Sequence, residues 1–438
     1  MSDAKTLPPE HQSGPSQDGP PPAAKKATPT PDPTLRTVKR KPLTLAHAGW
    51  LVVGATLILV AIGVYCISIT SGLEGGRLSG TALRQAVFAC LGLAVAIVAM
   101  IPHYRRLIHY VVPLAVIVVA MLIFLLIPFV PEAIVRPRNG ARRWIDIGIT
   151  EFQPSEVAKV VYVLVTAAYL RYRHNHRSIR GLVGPSLIAF VPMALILVEP
   201  DLGTALLFIP ALIAMLIAAG ARLSHLISAG VLSLAFGTVV LVTSLVLAQQ
   251  DSYPLMRPHQ VERVQAVMDR FKGDDRFDHE RGFQGEQATT LIGAGGIAGH
   301  PEAKSRALVY FSSLPERHND MIFAVFANRF GMLGIVGLLA VYAAWIGGAL
   351  AIAGGCKDPF GRLVCVGFAA IVATQMGVNI GMTVGLLPIT GMTLPFVSYG
   401  GSSLLIGFVM VGLICNIAIR RPQYLWRRSF EFDDELAR

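Results

Sequence analysis

Four stretches of this chain bring together residue types that handle hydroxyls, protons and phosphate-like anions. Residues 139–160, NGARRWIDIGITEFQPSEVAKV, open on Arg142, Arg143 and Trp144, a basic-aromatic cluster suited to a membrane interface. Pro154, Ser155 and Glu156 then read as a helix start, with proline early and an acid in the first turn. Glu156 and Lys159 stand three apart, so they share one helix face. The pair is either a structural ion pair or part of a cavity lining. Residues 198–205, VEPDLGTA, hold Glu199 and Asp201 in what reads as a turn capped by Asp201. Residues 314–326, LPERHNDMIFAVF, place Glu316, Arg317, His318 and Asp320 at the mouth of an apolar run. A carboxylate at the rim of a low-dielectric region can act as a general base; capping an interfacial helix is the plainer alternative. Residues 379–405 hold Gly381, Gly385 and Gly391 before Pro395, and then SYGGSS. Its backbone donors and hydroxyls at a helix start could hold an anion, or could simply form a buried turn.

The elements that must position these residues are membrane helices. Of the 438 residues, 15% are charged and 53% apolar, against roughly 25% charged in soluble proteins. Disordered, disulfide-stapled and ordinary soluble classes are excluded. The expected spans are 47–69, 83–102, 107–130, 156–170, 186–200, 202–220, 226–248, 321–353, 362–386 and 401–419. The fold class is therefore an all-α integral membrane protein of about ten transmembrane helices. A large extracytoplasmic loop, 249–320, joins helices 7 and 8, and its GFQGEQATTLIGAGGIAG stretch reads as weakly amphipathic. Residues 1–45 carry ten of the 28 prolines and read as a disordered cytoplasmic tail. The membrane domain is then 46–420 and a short cytoplasmic tail is 421–438.

Short-loop Lys and Arg residues place both termini in the cytoplasm. The cations at Arg136, Arg138, Arg142 and Arg143 break that rule on the outer side, which suggests a bound anion. The net charge of +11 belongs to membrane topology rather than to nucleic acid. The five cysteines show no pairing or metal spacing, His174 and His176 read as solvated loop residues, and no Walker or HExxH motif exists.

Taken in order, the strings GARRWIDIG…FQPSEVAK, PDLGTA, GFQGEQA…IGAGG, LPERHNDMIFAV and NIGMTVGLLP…LPFVSYGGSS resemble the SEDS family, the RodA, FtsW and SpoVE proteins. The resemblance covers roughly 47–420, and RWIDIGI and NIGM look closer to the RodA branch. It implies a ten-helix peptidoglycan glycosyltransferase of the bacterial inner membrane, acting in cell-wall synthesis, cell shape and elongation. Asp320 matches the family's catalytic aspartate, Glu156 and Lys159 its embedded acid–base pair, and Arg143 its basic residue before Trp. The implied substrate-binding set is Arg142, Arg143, Trp144, Gln153, Ser155, Glu156, Lys159, Asp201, Arg317, His318, Ser398, Gly400 and Gly401. One departure stands beside it: where the family reads Gly-Glu-Glu-Leu-Gly, this chain has Ala327-Asn328-Arg329-Phe330-Gly331.

The implied substrate is lipid II, an undecaprenyl-diphosphate-linked disaccharide peptide. The implied partner is a class B penicillin-binding transpeptidase. No metal site and no cofactor are implied, and the sequence leaves a divalent cation open. A lipid-linked precursor flippase and a non-catalytic scaffold for the transpeptidase are the rival readings. A flippase predicts charges along both halves of a path, whereas these motifs gather on the outer side. The topology is open to cysteine labelling. A cysteine at Ser313 should react with a membrane-impermeant maleimide in intact cells and one at Ser429 should not; the reverse pattern would invert the assignment.

Overall fold

The computed structural model describes residues 45–72, 80–127, 129–131, 134–135, 142–146, 148, 151–172, 180–199, 201–228, 230 and 283–420. In chain order the helices are α1 (Leu45–Ile69), α2 (Gly80–Met100), α3 (Leu107–Leu126), α4 (Pro154–Leu170), α5 (Val183–Val198), α6 (Leu202–Leu206), α7 (Phe208–Ala218), α8 (Phe283–Gly295), α9 (Glu302–Phe311), α10 (Ile322–Gly355), α11 (Pro359–Thr383) and α12 (Gly401–Ile419). Among the described residues, seven helices are long and apolar enough to cross a membrane. The chain is a multi-pass, all-α membrane protein. The expected seventh span lies outside the described residues except for its first few positions, as do both tails and His174 and His176.

α4 sits at the centre. It packs against α3, α5, α7, α11 and α12, and its buried residues include Ser155, Glu156 and Lys159 as well as the apolar Val160–Leu164 run. A short helix surrounded by others buries residues on nearly every face. The outer helices reverse the logic of a soluble protein. Leu91, Val112, Val116 and Ile117 are exposed, because lipid rather than water meets them. Where helices must approach closely, side chains are absent. A Cβ at Gly412 of α12 would stand 2.5 Å from the carbonyl oxygen of Ala96 in α2.

Two departures from regular helix shape the outer end. The expected loop 249–320 is partly helical: α8 and α9 lie within it, and α8 packs on α10. α10 is broken at Gly331, with φ 64° and ψ −164°. Its freed backbone groups are met by the turn after α8. Met332 donates to the Gly296 carbonyl at 2.9 Å, Leu333 to Ile297 at 3.1 Å, and His300 to Asn328 at 3.2 Å. Asn328 is fully buried and completes the clamp. It donates to the Leu291 carbonyl at 3.0 Å and accepts from the Ser305 hydroxyl at 2.9 Å.

The second departure is the segment 384–400 between α11 and α12, which is not helical. Amides from neighbouring helices satisfy its backbone. Gln375 donates to the Thr393 carbonyl at 3.1 Å, Asn379 to Met392 at 2.6 Å, and Gln85 of α2 to Ser398 at 3.0 Å. The Tyr342 hydroxyl of α10 donates to the Pro395 carbonyl at 2.6 Å.

The break at Gly331 predicts a sharp contrast between two glycines. Gly331 occupies a backbone region open essentially to glycine, and a Cβ there would collide with the Gly299 nitrogen. Gly331→Ala should destabilise the detergent-solubilised protein by about 1–3 kcal/mol or more. Gly337→Ala, with open space at its Cβ, should be neutral or slightly stabilising. Thermal unfolding of the two variants side by side checks this.

Candidate active site

The four polar stretches meet at one end of the helix set. α4 begins at Pro154, with Gln153 as its N-cap. The residues before it form a two-stranded antiparallel ribbon, β1 (Ile145–Asp146) and β2 (Glu151–Phe152), which turns the chain back and carries Arg142, Arg143 and Trp144 beside it. Ser402, at the start of α12, ties this ribbon to the unwound segment. Its hydroxyl donates to the Glu151 carbonyl at 3.0 Å and accepts from the Gln153 N–H at 3.2 Å.

Asp201 caps α6, as its turn predicted. Its carboxylate accepts from the Thr204 N–H at 3.1 Å and the Thr204 hydroxyl at 2.9 Å. Gln153 and Ser155 also donate to it, at 3.3 and 3.5 Å, and Arg143 stands 4.0 Å away. Arg143 is held by a further bond, from its Nε to the Glu199 carbonyl at 3.1 Å.

Glu199 is the acid that sequence reasoning noticed but did not place in the site. Only 3% of it is exposed, and neither carboxyl oxygen has a hydrogen-bond partner among the described residues. Burial, with Asp201 nearby, pushes its carboxyl up to about 8 against the pull of Arg143.

Asp320 lies at the end of the turn that precedes α10. A regular helix through this stretch would set Glu316 one turn from Asp320. Residues 315–321 are instead a run of turns, with Glu316 at φ 48°. The turn is pinned to the unwound segment from several sides. Ser398 donates to the Asn319 carbonyl at 2.7 Å, Asn379 to the Asp320 carbonyl at 2.8 Å, and Tyr399 N–H to the His318 carbonyl at 2.9 Å. The Asp320 side chain itself is half-buried, and its carboxylate receives no hydrogen bond among the described residues. It lies against Gly391, where a Cβ would come within 3.4 Å of Oδ2. Burial, then Glu316 and Asp201, push its carboxyl up to about 7, while Arg143 pulls the other way. Asp320, Asp201, Arg143 and Glu199 thus form one electrostatically coupled group. His318 is held below its ordinary value, first by burial and with Arg317 adding to it.

Other expected site residues are engaged elsewhere. Lys159 is 2% exposed; its ammonium stands 2.8 Å from Glu156 and 3.3 Å from the Gln375 oxygen, so it lies behind the site. Arg142 donates to the Ile127 and Val130 carbonyls, which are left open at the end of α3. At the SYGGSS helix start three groups are engaged within the protein. Gly400 N–H donates to Gln85 at 3.3 Å, while the Ser398 and Ser402 hydroxyls serve the protein's own backbone. Gly401 abuts Phe88 and Trp144 is half-buried. Among the described residues no three His, Cys, Asp or Glu side chains gather as a metal site.

The family model described as "Cell cycle protein", which covers FtsW, RodA and SpoVE, matches residues 48–423. The chain belongs to this family. Relatives across the FtsW/RodA/SpoVE family include stage V sporulation protein E of Bacillus subtilis, 32% identical over 84% of this chain and 96% of its own length. A probable peptidoglycan glycosyltransferase FtsW of Coxiella burnetii is 30% identical over 87% and 98%. Among solved structures, a chain of a peptidoglycan synthase complex that coordinates polymerization and crosslinking is 30% identical. It covers 86% of this chain and 98% of its own, with a TM-score of 0.69. The rod shape determining protein RodA of Thermus thermophilus is 26% identical over the same shares, with a TM-score of 0.59. These matches fall across all three named branches, so they fix the family rather than the branch.

Glu199 yields the prediction of this site. The folded state holds a proton up to about pH 8 that the unfolded state releases near 4.5. Stability should therefore fall as pH rises between those values and level off above. Glu199→Gln keeps the shape of the protonated acid and removes this dependence. In thermal unfolding, its melting temperature should equal wild type at pH 5 and exceed it at pH 9. A variant that loses stability at every pH would mean that Glu199 is ionised in the fold.

Proposed function

We propose that this chain is a peptidoglycan glycosyltransferase that polymerises lipid II, with Asp320 as its general base. The reaction joins two lipid-linked disaccharides. The 4-hydroxyl oxygen of the acceptor attacks the anomeric carbon of the donor, and its proton passes to the Asp320 carboxylate. The bond from that carbon to the diphosphate oxygen breaks, and its electron pair leaves with undecaprenyl diphosphate. One displacement inverts an α-linked donor into a β-1,4 product. The diphosphate bond supplies the driving force, so the scheme uses no nucleotide.

The observation that carries this reading is the half-buried Asp320 carboxylate, free of hydrogen bonds from the described residues and raised to about 7 beside Arg143. A base tuned near the working pH combines a deprotonated population with real proton affinity. Arg143 supplies positive charge where the diphosphate gains negative charge. The Glu156–Lys159 pair acts in this reading by position: Lys159 holds Gln375, and Gln375 holds the unwound segment at Thr393. The resemblance to a chain of a synthase complex that coordinates polymerization with crosslinking supports a class B penicillin-binding transpeptidase as partner. The same reading sets the protein in the bacterial inner membrane with both termini cytoplasmic.

The test is polymerisation of lipid II by purified protein, with the transpeptidase present. Asp320→Asn should insert and fold normally, yet polymerise about 10²–10⁴-fold more slowly. Below the wild-type pKa, kcat/KM should drop about tenfold per pH unit, because only the ionised carboxylate accepts the proton. Polymerisation by Asp320→Asn within about tenfold of wild type would remove Asp320 from the mechanism.

A further inference from the structure

Polymerisation through Asp320 and Arg143 gives no part to Glu199, although this acid is buried beside that cation. Glu199 caps the C-terminus of α5, its N–H donating to the Leu195 carbonyl at 3.2 Å. Its side chain is buried, and among the described residues neither carboxyl oxygen has a hydrogen-bond partner. Its backbone is tied to Arg143. The guanidinium Nε donates to the Glu199 carbonyl oxygen at 3.1 Å, while Nη1 stands 4.0 Å from the Asp201 carboxylate. One arginine is therefore hooked to the main chain of one acid and faces the side chain of another two residues on.

α5 packs on α3, α4, α6 and α7 and follows the short turn Arg180–Leu182. α4 brings the Glu156–Lys159 pair, whose charges meet each other at 2.8 Å, and the ribbon before it brings Arg142 and Arg143. α6 brings Asp201 at its cap, already held by Thr204, Gln153 and Ser155. α7 has no charged residue. α3 carries His109 in its first turn, away from the end that Arg142 bonds, and Arg180 stands at the opposite end of α5. Asp320 enters through its coupling to Asp201 and Arg143. In this setting the two states of Glu199 differ in what they do to Arg143. A carboxylate buried without donors is tolerated only beside a cation, and Arg143 is the cation bonded to the same residue. An ionised Glu199 draws the guanidinium toward itself. A protonated Glu199 leaves the site more positive by one full charge when an anion arrives.

We infer that Glu199 is a positioning residue that keeps its proton while substrate binds, so that Arg143 is directed at the substrate's diphosphate and not at an acid of its own chain. This rests on the glycosyltransferase reading and on Arg143 as the cation that meets the diphosphate. The proton stays on Glu199 throughout the cycle, and Asp320 is the acid that exchanges one. Burial, with Asp201 adding to it and Arg143 opposing, pushes the Glu199 carboxyl up to about 8. The proton is therefore held at neutral pH and lost on the alkaline side, where the grip on the diphosphate should weaken.

The test is the pH dependence of KM and kcat for lipid II, measured on the full chain with the transpeptidase in nanodiscs. Wild-type KM should be level up to about pH 8 and then rise, by up to about tenfold per pH unit, while kcat changes far less. Glu199→Gln, which cannot ionise, should abolish the alkaline rise. A purely structural role for Glu199 would shift KM or kcat by one factor at every pH and leave the rise in place. Infrared difference spectra between wild type and Glu199→Gln at pH 7 should show the carbonyl stretch of a protonated carboxyl in wild type. A wild-type KM that stays level to about pH 9.5 overturns the proposal without any variant. So does a rise that survives in Glu199→Gln, or the absence of the protonated-carboxyl band. Failure of the glycosyltransferase reading looks different: wild type would make no glycan polymer at any pH, whatever the infrared spectra report.

Discussion

An unwound segment among membrane helices is the constraint on which the site depends. Residues 384–400 leave helical geometry between α11 and α12, and lipid offers their peptide groups nothing to bond. An unsatisfied group in a protein interior costs about 1–3 kcal/mol, so several together would make the segment untenable. The protein meets this with polar side chains from three helices: Gln85 of α2, Tyr342 of α10, and Gln375 and Asn379 of α11. Phe396 holds a positive φ of 64° within the segment, a strained value for a bulky residue that packing with Trp345 and Phe408 sustains. The Asp320 turn is then bonded to this segment rather than to its own helix, through Ser398, Tyr399 and Asn379. The position of the base is thus set by helices remote from it in sequence. The Glu156–Lys159 pair belongs to the same scheme, because its outermost contact is Gln375.

The three acids near Arg143 show how local donors divide the work among like groups. Asp201 accepts from two groups of Thr204 and from Gln153 and Ser155. Glu199 and Asp320 receive nothing comparable, and burial raises both, to about 8 and about 7. Arg143 alone does not compensate two buried carboxylates and a half-buried one, so protons supply the remaining charge. Glu199, buried and without a donor among the described residues, keeps its proton at neutral pH. Asp320, half-open to its cleft, is the acid that can exchange one with a substrate.

Much of this was legible in the sequence. The charges and glycines sit in apolar surroundings, where every polar residue needs a reason, and that picked out Arg143, Glu156, Lys159, Asp201 and Asp320. The Pro154 start and the Asp201 cap followed from local turn chemistry. The uncharged amides did not stand out. Gln85, Gln375 and Asn379 interrupt apolar runs no more conspicuously than Ser or Thr, and their partners lie on other elements. The same non-local cause hid the partner of the Gly400 N–H at the SYGGSS helix start, because Gln85 arrives from α2. The ribbon at Ile145–Phe152 is too short for alternation to register. The break at Gly331 looked like an ordinary glycine inside an apolar run.

The pair Asn328–Arg329, which departs from the family's two acids, has a physical account in its surroundings. Arg329 donates to the Tyr65 hydroxyl at 2.9 Å and lies over the Phe330 ring, and Tyr65 donates to Glu302 at 3.1 Å. Arg306 meets Glu302 at 2.8 Å and the Ser68 carbonyl at 2.7 Å. This joins α1, α9 and the first half of α10 in one network with Glu302 as its acid. An acid at position 329 would face Glu302 across the Tyr65 hydroxyl and repel it, leaving only Arg306 to compensate both. Asn328, fully buried, could not be an ionised acid in the same place without losing the donor that the Leu291 carbonyl requires. The two replacements therefore act as a unit with Glu302, Arg306 and Ser305. They set how α8 and α9 are clamped onto α10, and none of these bonds reaches the Asp320 carboxylate.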